Sequence, residues 1–162
     1  MAREIVLGID PGLASTGWGV VEKNGNRMAY LGHGVVSTPA KMPHQERLVL
    51  IFRGISDVLD RWQPVAAGME TLYFAKNVSS AMGVAEARGV VTLTLALRGI
   101  ELVEFTPHGI KQAVVGVARA DKNQVQQAVR LLLGLSEIPK PDHAADALAA
   151  AITRINTARL AI

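Results

Sequence analysis

The chain has 162 residues, 49% of them hydrophobic, with no cysteine and a formal net charge of +3 at pH 7. This length suits one domain with its own core, and the lack of cysteine excludes disulfides and thiolate zinc sites. No apolar run approaches the roughly 20 residues of a membrane span, and the first residues do not resemble a signal peptide, so we expect a cytoplasmic protein. The basic excess lies in the second half of the chain, which is compatible with a polyanionic partner.

The first predicted element is a buried strand that ends in a carboxylate. Residues 5–9 are an almost unbroken apolar run, Asp10 follows it, and Pro11-Gly12 turns the chain. An acidic side chain at the tip of a central strand can meet water, a metal or a substrate. It can also simply cap the turn by bonding to backbone amides, and for Asp10 alone that alternative stays open.

An antiparallel meander of three strands is predicted for the first 37 residues. The second strand covers residues 15–22, Asn24-Gly25 is a strong hairpin signal, and the third strand covers residues 27–37. Gly32 and Gly34 within the third strand predict a bulge or a bend.

Helices and strands alternate after the meander. Apolar residues at three- and four-residue spacing predict a helix over residues 48–62, and the next strand, residues 65–70, again ends in an acidic residue, Glu70. The further predicted elements are a loop at 71–77, a helix at 78–98 rich in small residues, a strand at 100–105, a short helix capped by Thr106, a helix capped by Asp121, and a last helix at 142–157.

The last helix carries a histidine and an aspartate three residues apart. His143 and Asp146 therefore project from the same side of its first turn, and Asp142 is the expected N-cap. The helix dipole alone partly explains an acidic residue at position 146. If the strands that end in Asp10 and Glu70 are neighbours, however, the carboxylates converge at one rim. Their repulsion would then favour a hard cation such as Mg²⁺ or Mn²⁺.

Four segments, in order and at comparable spacing, resemble the RuvC family of bacterial Holliday-junction resolvases. They are residues 8–20 (GIDPGLASTGWGV), 70–77 (ETLYFAKN), 111–116 (KQAVVG) and 143–148 (HAADAL). The resemblance implies an α/β, ribonuclease H-like fold in a single nuclease domain over residues 1–162. Its mixed five-stranded sheet would combine the antiparallel three-strand meander with two parallel strands, flanked by helices.

The same resemblance implies the activity. A homodimer would nick two strands of like polarity symmetrically across a four-way DNA junction, in homologous recombination and DNA repair. Asp10, Glu70, His143 and Asp146 would be the catalytic metal ligands, holding two Mg²⁺ ions, for which Mn²⁺ can substitute, during phosphodiester hydrolysis. The implied partners are the branch-migration proteins RuvA and RuvB.

His143 occupies a position where many relatives have aspartate. A neutral imidazole ligates Mn²⁺ more readily than Mg²⁺, and it removes one negative charge from the site. We therefore expect His143 to be a ligand or a water-positioning base. The register of the Ala-Ala-Asp-Ala-Leu segment disfavours Asp142 as its substitute.

DNA contacts are also implied by the resemblance. Tyr73 would stack at the junction point, which contributes about 1–3 kcal/mol for an unpaired base, although the adjacent aromatics can alternatively pack the loop onto the sheet. Lys111 would additionally stabilise charge at the cleaved phosphate as a catalytic residue. For Lys122 a solvated first-turn lysine is an equal alternative. The implied DNA-binding residues are Tyr73, Phe74, Lys76, Asn77, Lys111 and Lys122.

Other functions also fit parts of the sequence. The glycine-rich residues 8–19 suit the phosphate cradle of sugar kinases and actin-like ATPases, but those proteins need a second lobe. A non-catalytic junction-binding module would not need acidic residues at both strand tips, and a nuclease of the same fold could act on RNA or other branched DNA. The helix that contains Gly83 and Gly89 is the predicted dimer interface.

Overall fold

The computed structural model of the protein describes residues 2–71 and 78–158. Its elements follow the predicted order, and most of their ends lie within a few residues of the predicted ones. They are β1 Arg3–Asp10, β2 Ser15–Asn24, β3 Arg27–Ser37, α1 His44–Trp62, β4 Ala66–Glu70, α2 Val78–Leu97, β5 Glu101–Phe105, α3 Pro107–Val115, α4 Lys122–Leu132 and α5 Asp142–Ala158.

The strands of the described residues form a five-stranded mixed sheet in the order β3-β2-β1-β4-β5. Strands β1, β2 and β3 are antiparallel neighbours, whereas β4 runs parallel to both β1 and β5. The predicted combination of a three-strand meander with two parallel strands is therefore confirmed. Because β1 and β4 are adjacent and parallel, their carboxyl ends meet at the same edge of the sheet.

Helices cover both faces of the sheet, so the central strands are buried on both sides. In β1, Leu7 and Ile9 pack into the core formed with α1 and α2, whereas Val6 and Gly8 face α5. This alternation explains why the sequence of β1 is an unbroken apolar run rather than an alternating one. Helix α5 is buried along most of its length, which is why it is rich in alanine.

Local sequence signals set several element ends as predicted. The register between β2 and β3 shifts between Val20 and Val21, opposite Gly32, and this is the expected bulge. Asp121 forms a capping box in which the backbone amide of Gln124 donates to the Asp121 carboxylate at 2.8 Å. The Thr106 hydroxyl caps α3 by accepting from the backbone amide of Gly109 at 2.9 Å. These ends are fixed by interactions over three residues, which a sequence can reveal.

The prediction that Asp142 is the N-cap of the last helix was wrong. Helix α5 begins at Asp142, and the amides of Ala144 and Ala145 donate to the carbonyl of Pro141. The Asp142 carboxylate instead lies 3.0 Å from the ammonium of Lys122. Because Asp142 lies within the first helical turn rather than before it, its carboxylate extends to the start of α4, where Gln126 also donates to it at 3.2 Å.

Helix α2 covers Val78–Leu97, which agrees with the predicted residues 78–98, and it is strongly apolar. Its 20 residues reach a mean hydropathy of 1.2 over the best window, which by length and composition alone is enough to cross a membrane. Two charged side chains lie in its middle, however, and tie it to the rest of the fold: Glu86 pairs with His44 of α1, and Arg88 pairs with Glu104 of β5. Ion pairs of this kind indicate a helix packed within a protein.

Candidate active site

Two neighbouring strands carry the same three-residue pattern at their carboxyl ends. β1 ends in Gly8-Ile9-Asp10 and β4 ends in Gly68-Met69-Glu70, and the register places Gly8 beside Gly68. Side chains two residues apart point to the same face of a sheet, so each carboxylate lies on the face that its glycine leaves open. The predicted convergence of Asp10 and Glu70 follows from this register.

The glycines leave this face open for helix α5. A Cβ added to Gly8 would lie 1.7 Å from the carbonyl oxygen of Ala147, and one added to Gly68 would lie 2.6 Å from that of Ala150. On β2, a Cβ on Gly17 would lie 2.1 Å from the carbonyl oxygen of His143. Backbone-to-backbone packing of this kind holds α5 close against the sheet. The repeated Gly-x-acid spacing was visible in the sequence, but its structural meaning was missed.

Helix α5 brings His143 and Asp146 to the strand ends. The Nδ1 atom of His143 lies 2.7 Å from an oxygen of the Asp10 carboxylate. An ionised carboxylate can only accept, so Nδ1 donates this hydrogen, and in the neutral form of the ring the lone pair is then on Nε2. The two residues are 133 positions apart in the chain, and their contact confirms the neighbourhood that the sequence only suggested.

The pKa values of three carboxylic acids at this rim, Asp10, Glu70 and Asp146, are raised. Burial raises the pKa of Asp10, although the hydrogen bond from His143 opposes the rise. Burial and then the charges of Asp10 and Asp146 raise the pKa of Glu70, and burial and then the charge of Asp10 raise that of Asp146. Mutual repulsion among partly buried acids is the condition that a bound cation relieves.

Two lysines complete the rim. Lys122 lies 3.0 Å from Asp142 and 4.0 Å from Asp146. It lowers the pKa of Asp142 and opposes the rise in the pKa of Asp146. Lys111 lowers the pKa of Glu70 and lines, with Glu70, Lys122 and Asp146, a cavity of about 150 Å³. The structure therefore brings together six of the predicted residues: Asp10, Glu70, Lys111, Lys122, His143 and Asp146.

Four of the predicted DNA-binding residues are not among the described ones. Tyr73, Phe74, Lys76 and Asn77 lie outside the described residues. Within residues 2–71 and 78–158, no three histidine or acidic side chains lie close enough together, as they are placed, to hold one ion.

Arg88, which the sequence analysis did not select, donates to the backbone carbonyl of Glu70 at 2.6 Å. Nothing in its helical spacing could have revealed that contact.

Comparison with known proteins identifies the family. A family model described as crossover junction endodeoxyribonuclease RuvC matches residues 6–154. The chain belongs to the RuvC family. Members of this family are phosphodiester-hydrolysing nucleases, and membership implies a general dependence on divalent metal ions.

Individual relatives agree with this assignment. RuvC of Treponema denticola is 55% identical over 95% of this chain and 86% of its own, and RuvC of Chloroflexus aggregans is 50% identical over 94% and 93%. The structure of Thermus thermophilus RuvC in complex with a Holliday junction substrate superposes with a TM-score of 0.92 at 37% identity, over 97% of this chain and 96% of that one. The ribonuclease H-like fold is thereby confirmed, and the match favours a nuclease over the nucleotide-binding alternative.

Proposed function

We propose that this RuvC-family chain resolves four-way DNA junctions by paired, symmetric nicks in strands of like polarity. The observation that supports it is the convergence of Asp10 and Glu70, from adjacent parallel strands, with His143 and Asp146 of α5. The T. thermophilus relative is in complex with a Holliday junction substrate, which supports the choice of DNA structure.

The donor set fits hard divalent cations. Asp10, Glu70 and Asp146 offer carboxylate oxygens, and burial raises the pKa of all three acids. The charge of Asp10 raises the pKa of Glu70 and Asp146 further. We propose that these three residues and His143 hold two Mg²⁺ ions per active site, with Mn²⁺ as a substitute. Such ions, when bound, activate the attacking water and stabilise the leaving oxygen.

The hydrogen bond to Asp10 orients His143 for this role. Asp10 accepts the hydrogen on Nδ1, which orients the ring and leaves the Nε2 lone pair to bind a cation or to accept a proton from water. In either case Asp10 stabilises the positive charge that builds on the imidazole. An ionised aspartate at position 143 has no hydrogen to donate, so it could not form this bond to Asp10. With histidine there, Asp10 orients the imidazole ring and also serves as a proposed metal ligand.

Lys111 and Lys122 supply positive charge beside the acids. Lys111 lies next to Glu70 and is placed to stabilise the negative charge that develops on the cleaved phosphate. Lys122 now pairs with Asp142, and this exposed pair is weak enough for a DNA phosphate to replace the carboxylate. We extend the DNA-contact proposal to Tyr73, Phe74, Lys76 and Asn77, which follow directly after β4 in sequence.

Cleavage of a labelled four-way junction tests the proposal. We expect paired symmetric nicks with Mg²⁺ or Mn²⁺, none in EDTA, and none with Asp10→Asn. Asp60→Asn is the matched control, because Asp60 is exposed on α1 and pairs with Arg98 away from the site. Tight junction binding without nicks under either metal would favour a non-catalytic junction-binding module. Preferential cutting of RNA or of other branched DNA would favour a different nuclease of the same fold.

Helix α2 is the proposed dimer interface. It exposes four large apolar side chains, at Val78, Met82, Leu93 and Leu97. A Cβ on Gly83 would touch Leu13 of its own chain at 3.3 Å, whereas one on Gly89 would meet nothing within 4 Å among the described residues. Gly89→Leu is therefore the cleaner test, since the chain itself leaves room for it. We expect it to convert a sedimenting dimer to monomer, and an unchanged dimer would reject this interface.

The domain organisation, location and partners proposed for the chain rest on the same family membership. We propose that residues 1–162 act as one nuclease domain in the cytoplasm and work with RuvA and RuvB. The nearly full coverage of the T. thermophilus chain supports the first point. A pull-down of RuvA–RuvB–junction complexes with the purified chain tests the last, and no recovery above a junction-free control would count against it.

A further inference from the structure

Arg88 reaches from the middle of α2 across the carboxyl ends of two strands. Its Nη1 donates to the backbone carbonyl of Glu70, the last residue of β4, at 2.6 Å. Its Nη2 pairs with the Glu104 carboxylate of β5, which lies beside Met69 in the sheet register. Only 14% of the Arg88 side chain is exposed, whereas 44% of its partner Glu104 is.

The planar fork of a guanidinium suits this arrangement. It offers separate donors at a fixed spacing, so one arginine can hold two acceptors on different strands. Glu104 compensates the charge of Arg88, which removes the cost of burying an unpaired cation. Arg88 therefore ties helix α2 to the ends of β4 and β5 at once.

Glu70 lies at the end of a strand and beside two other acidic residues, so its position depends on such a contact. Asp10 and Asp146 repel its carboxylate, and β4 ends at this position. Among residues 2–71 and 78–158, one further hydrogen bond, from the Thr71 amide to the Phe105 carbonyl at 2.8 Å, continues the pairing with β5. A strand end under electrostatic repulsion frays unless it is held. The hydrogen bond from Arg88 restrains the backbone of Glu70 and thereby the position from which its carboxylate side chain extends.

The side chain of Arg88 also borders the strand ends that carry Asp10 and Glu70. Arg88 lines, with Asp10, Glu70 and Thr71, an open cavity of about 290 Å³ on the side of the strand ends that faces α2. Lys111, which lines the other cavity beside Glu70, is the cation that opposes the rise in the pKa of the Glu70 carboxylate. Arg88 is placed to hold the main chain, and Lys111 is placed to act on the charge.

We propose that Arg88 is a positioning residue that holds the Glu70 carboxylate where it binds the catalytic divalent cation. This inference rests on the proposed role of Glu70 as a metal ligand. It also gives α2 a second task, because the helix proposed for dimerisation would then set the geometry of a metal ligand. Removing an outer contact of a metal ligand typically weakens metal binding about 10- to 100-fold.

Arg88→Met tests the proposal, with Arg154→Met as the matched control. Arg154 is as well buried, at 16% exposure, and pairs with the other carboxylate of β5, Glu101, but donates nothing to Glu70. The first readout is the Mn²⁺ concentration that gives half-maximal junction nicking, separated from the rate at saturating Mn²⁺. We expect Arg88→Met to raise that concentration at least about tenfold and Arg154→Met to change it less than twofold.

Hydrogen exchange supplies a readout independent of activity. Exchange at the Thr71 amide should quicken at least about tenfold in Arg88→Met and stay unchanged in Arg154→Met, because only the first variant frees the end of β4. If Arg88→Met does not fold, Arg88→Lys keeps the charge but loses the fork. We then expect the lysine variant to show a several-fold higher Mn²⁺ requirement.

Two results would overturn the proposal, and they differ from a failure of the proposed function. An unchanged Mn²⁺ requirement in Arg88→Met, or in Arg88→Lys where that variant is used, would show that Arg88 is merely structural. Equal shifts in Arg88→Met and Arg154→Met would show that any lost ion pair on β5 suffices. If Glu70→Gln itself nicked junctions with the wild-type Mn²⁺ requirement, the metal-ligand role of Glu70 would fail instead.

Discussion

The two faces of the sheet are packed on opposite principles, although the same strands build both. On the α1–α2 face, large aliphatic side chains such as Leu7, Ile9 and Ile55 interdigitate and fill the space. On the α5 face, glycines at 8 and 68 let the helix backbone approach the sheet directly. Side chains can adjust when one of them changes, whereas a backbone contact cannot, so the face that carries the candidate site is the less tolerant one.

The largest expected effect is on the glycine face. Gly8→Ala places a Cβ against the Ala147 carbonyl, so α5 must shift and carry His143 and Asp146 away from Asp10. We expect a loss of about 3 kcal/mol of stability or more, a fall of about 6–12 °C in melting temperature, and loss of junction nicking. Calorimetry and the nicking assay measure these.

A matched glycine shows whether position or mere bulk is responsible. Gly89→Ala adds the same methyl group where nothing lies within 4 Å among the described residues. Because Gly89 lies on the proposed dimer interface, the melting temperature is measured at a dilution where the chain is monomeric, and there it should not fall. An equal loss in both variants would remove the proposed distinction between the faces.

A smaller effect is expected on the aliphatic face. Ile55 is fully buried between α1 and the sheet, and Ile55→Val removes one methylene group that neighbouring side chains can partly replace. We expect a loss of about 0.5–1.5 kcal/mol with nicking retained at temperatures well below the transition. If this variant lost nicking as Gly8→Ala is expected to, the site would depend equally on both faces.

The smallest effect concerns the charge of Glu70 in metal-free protein. Its pKa is raised by burial and by neighbouring acids, so the folded state holds this proton more tightly than the unfolded chain. The resulting stability is present below the unfolded pKa, about 4.5, and is lost as the pH rises through the folded pKa. Glu70→Gln, which cannot ionise, should therefore melt higher than wild type at pH 7 in EDTA.

Because Glu70 is partly exposed, solvent screens much of this repulsion, and we expect a rise of only about 1–3 °C. The difference should vanish at pH 4. With Mn²⁺ added at pH 7, wild type should gain stability and the variant should not. Glu137→Gln, at an exposed loop position, is the control, and an equal rise there would refute the repulsion.

Local interactions made much of this fold readable from the sequence. The capping box at Asp121, the hairpin at Asn24-Gly25 and the bulge near Gly32 each depend on a few neighbouring residues. The apolar run that ends in Asp10 likewise reports a strand buried on both faces. The four family motifs did the rest, since their order and spacing identified the RuvC family and the acidic residues to examine.

The tertiary structure alone decided which of these residues meet. The sequence could not place β4 beside β1, pair Asp10 with a histidine 133 residues away, or draw Asp142 from the helix cap to Lys122. Nor could it join Arg88 to the carbonyl of Glu70. Periodicity and caps record contacts within one element, whereas these contacts form between elements, where packing and burial set the distances and the strength of each charge.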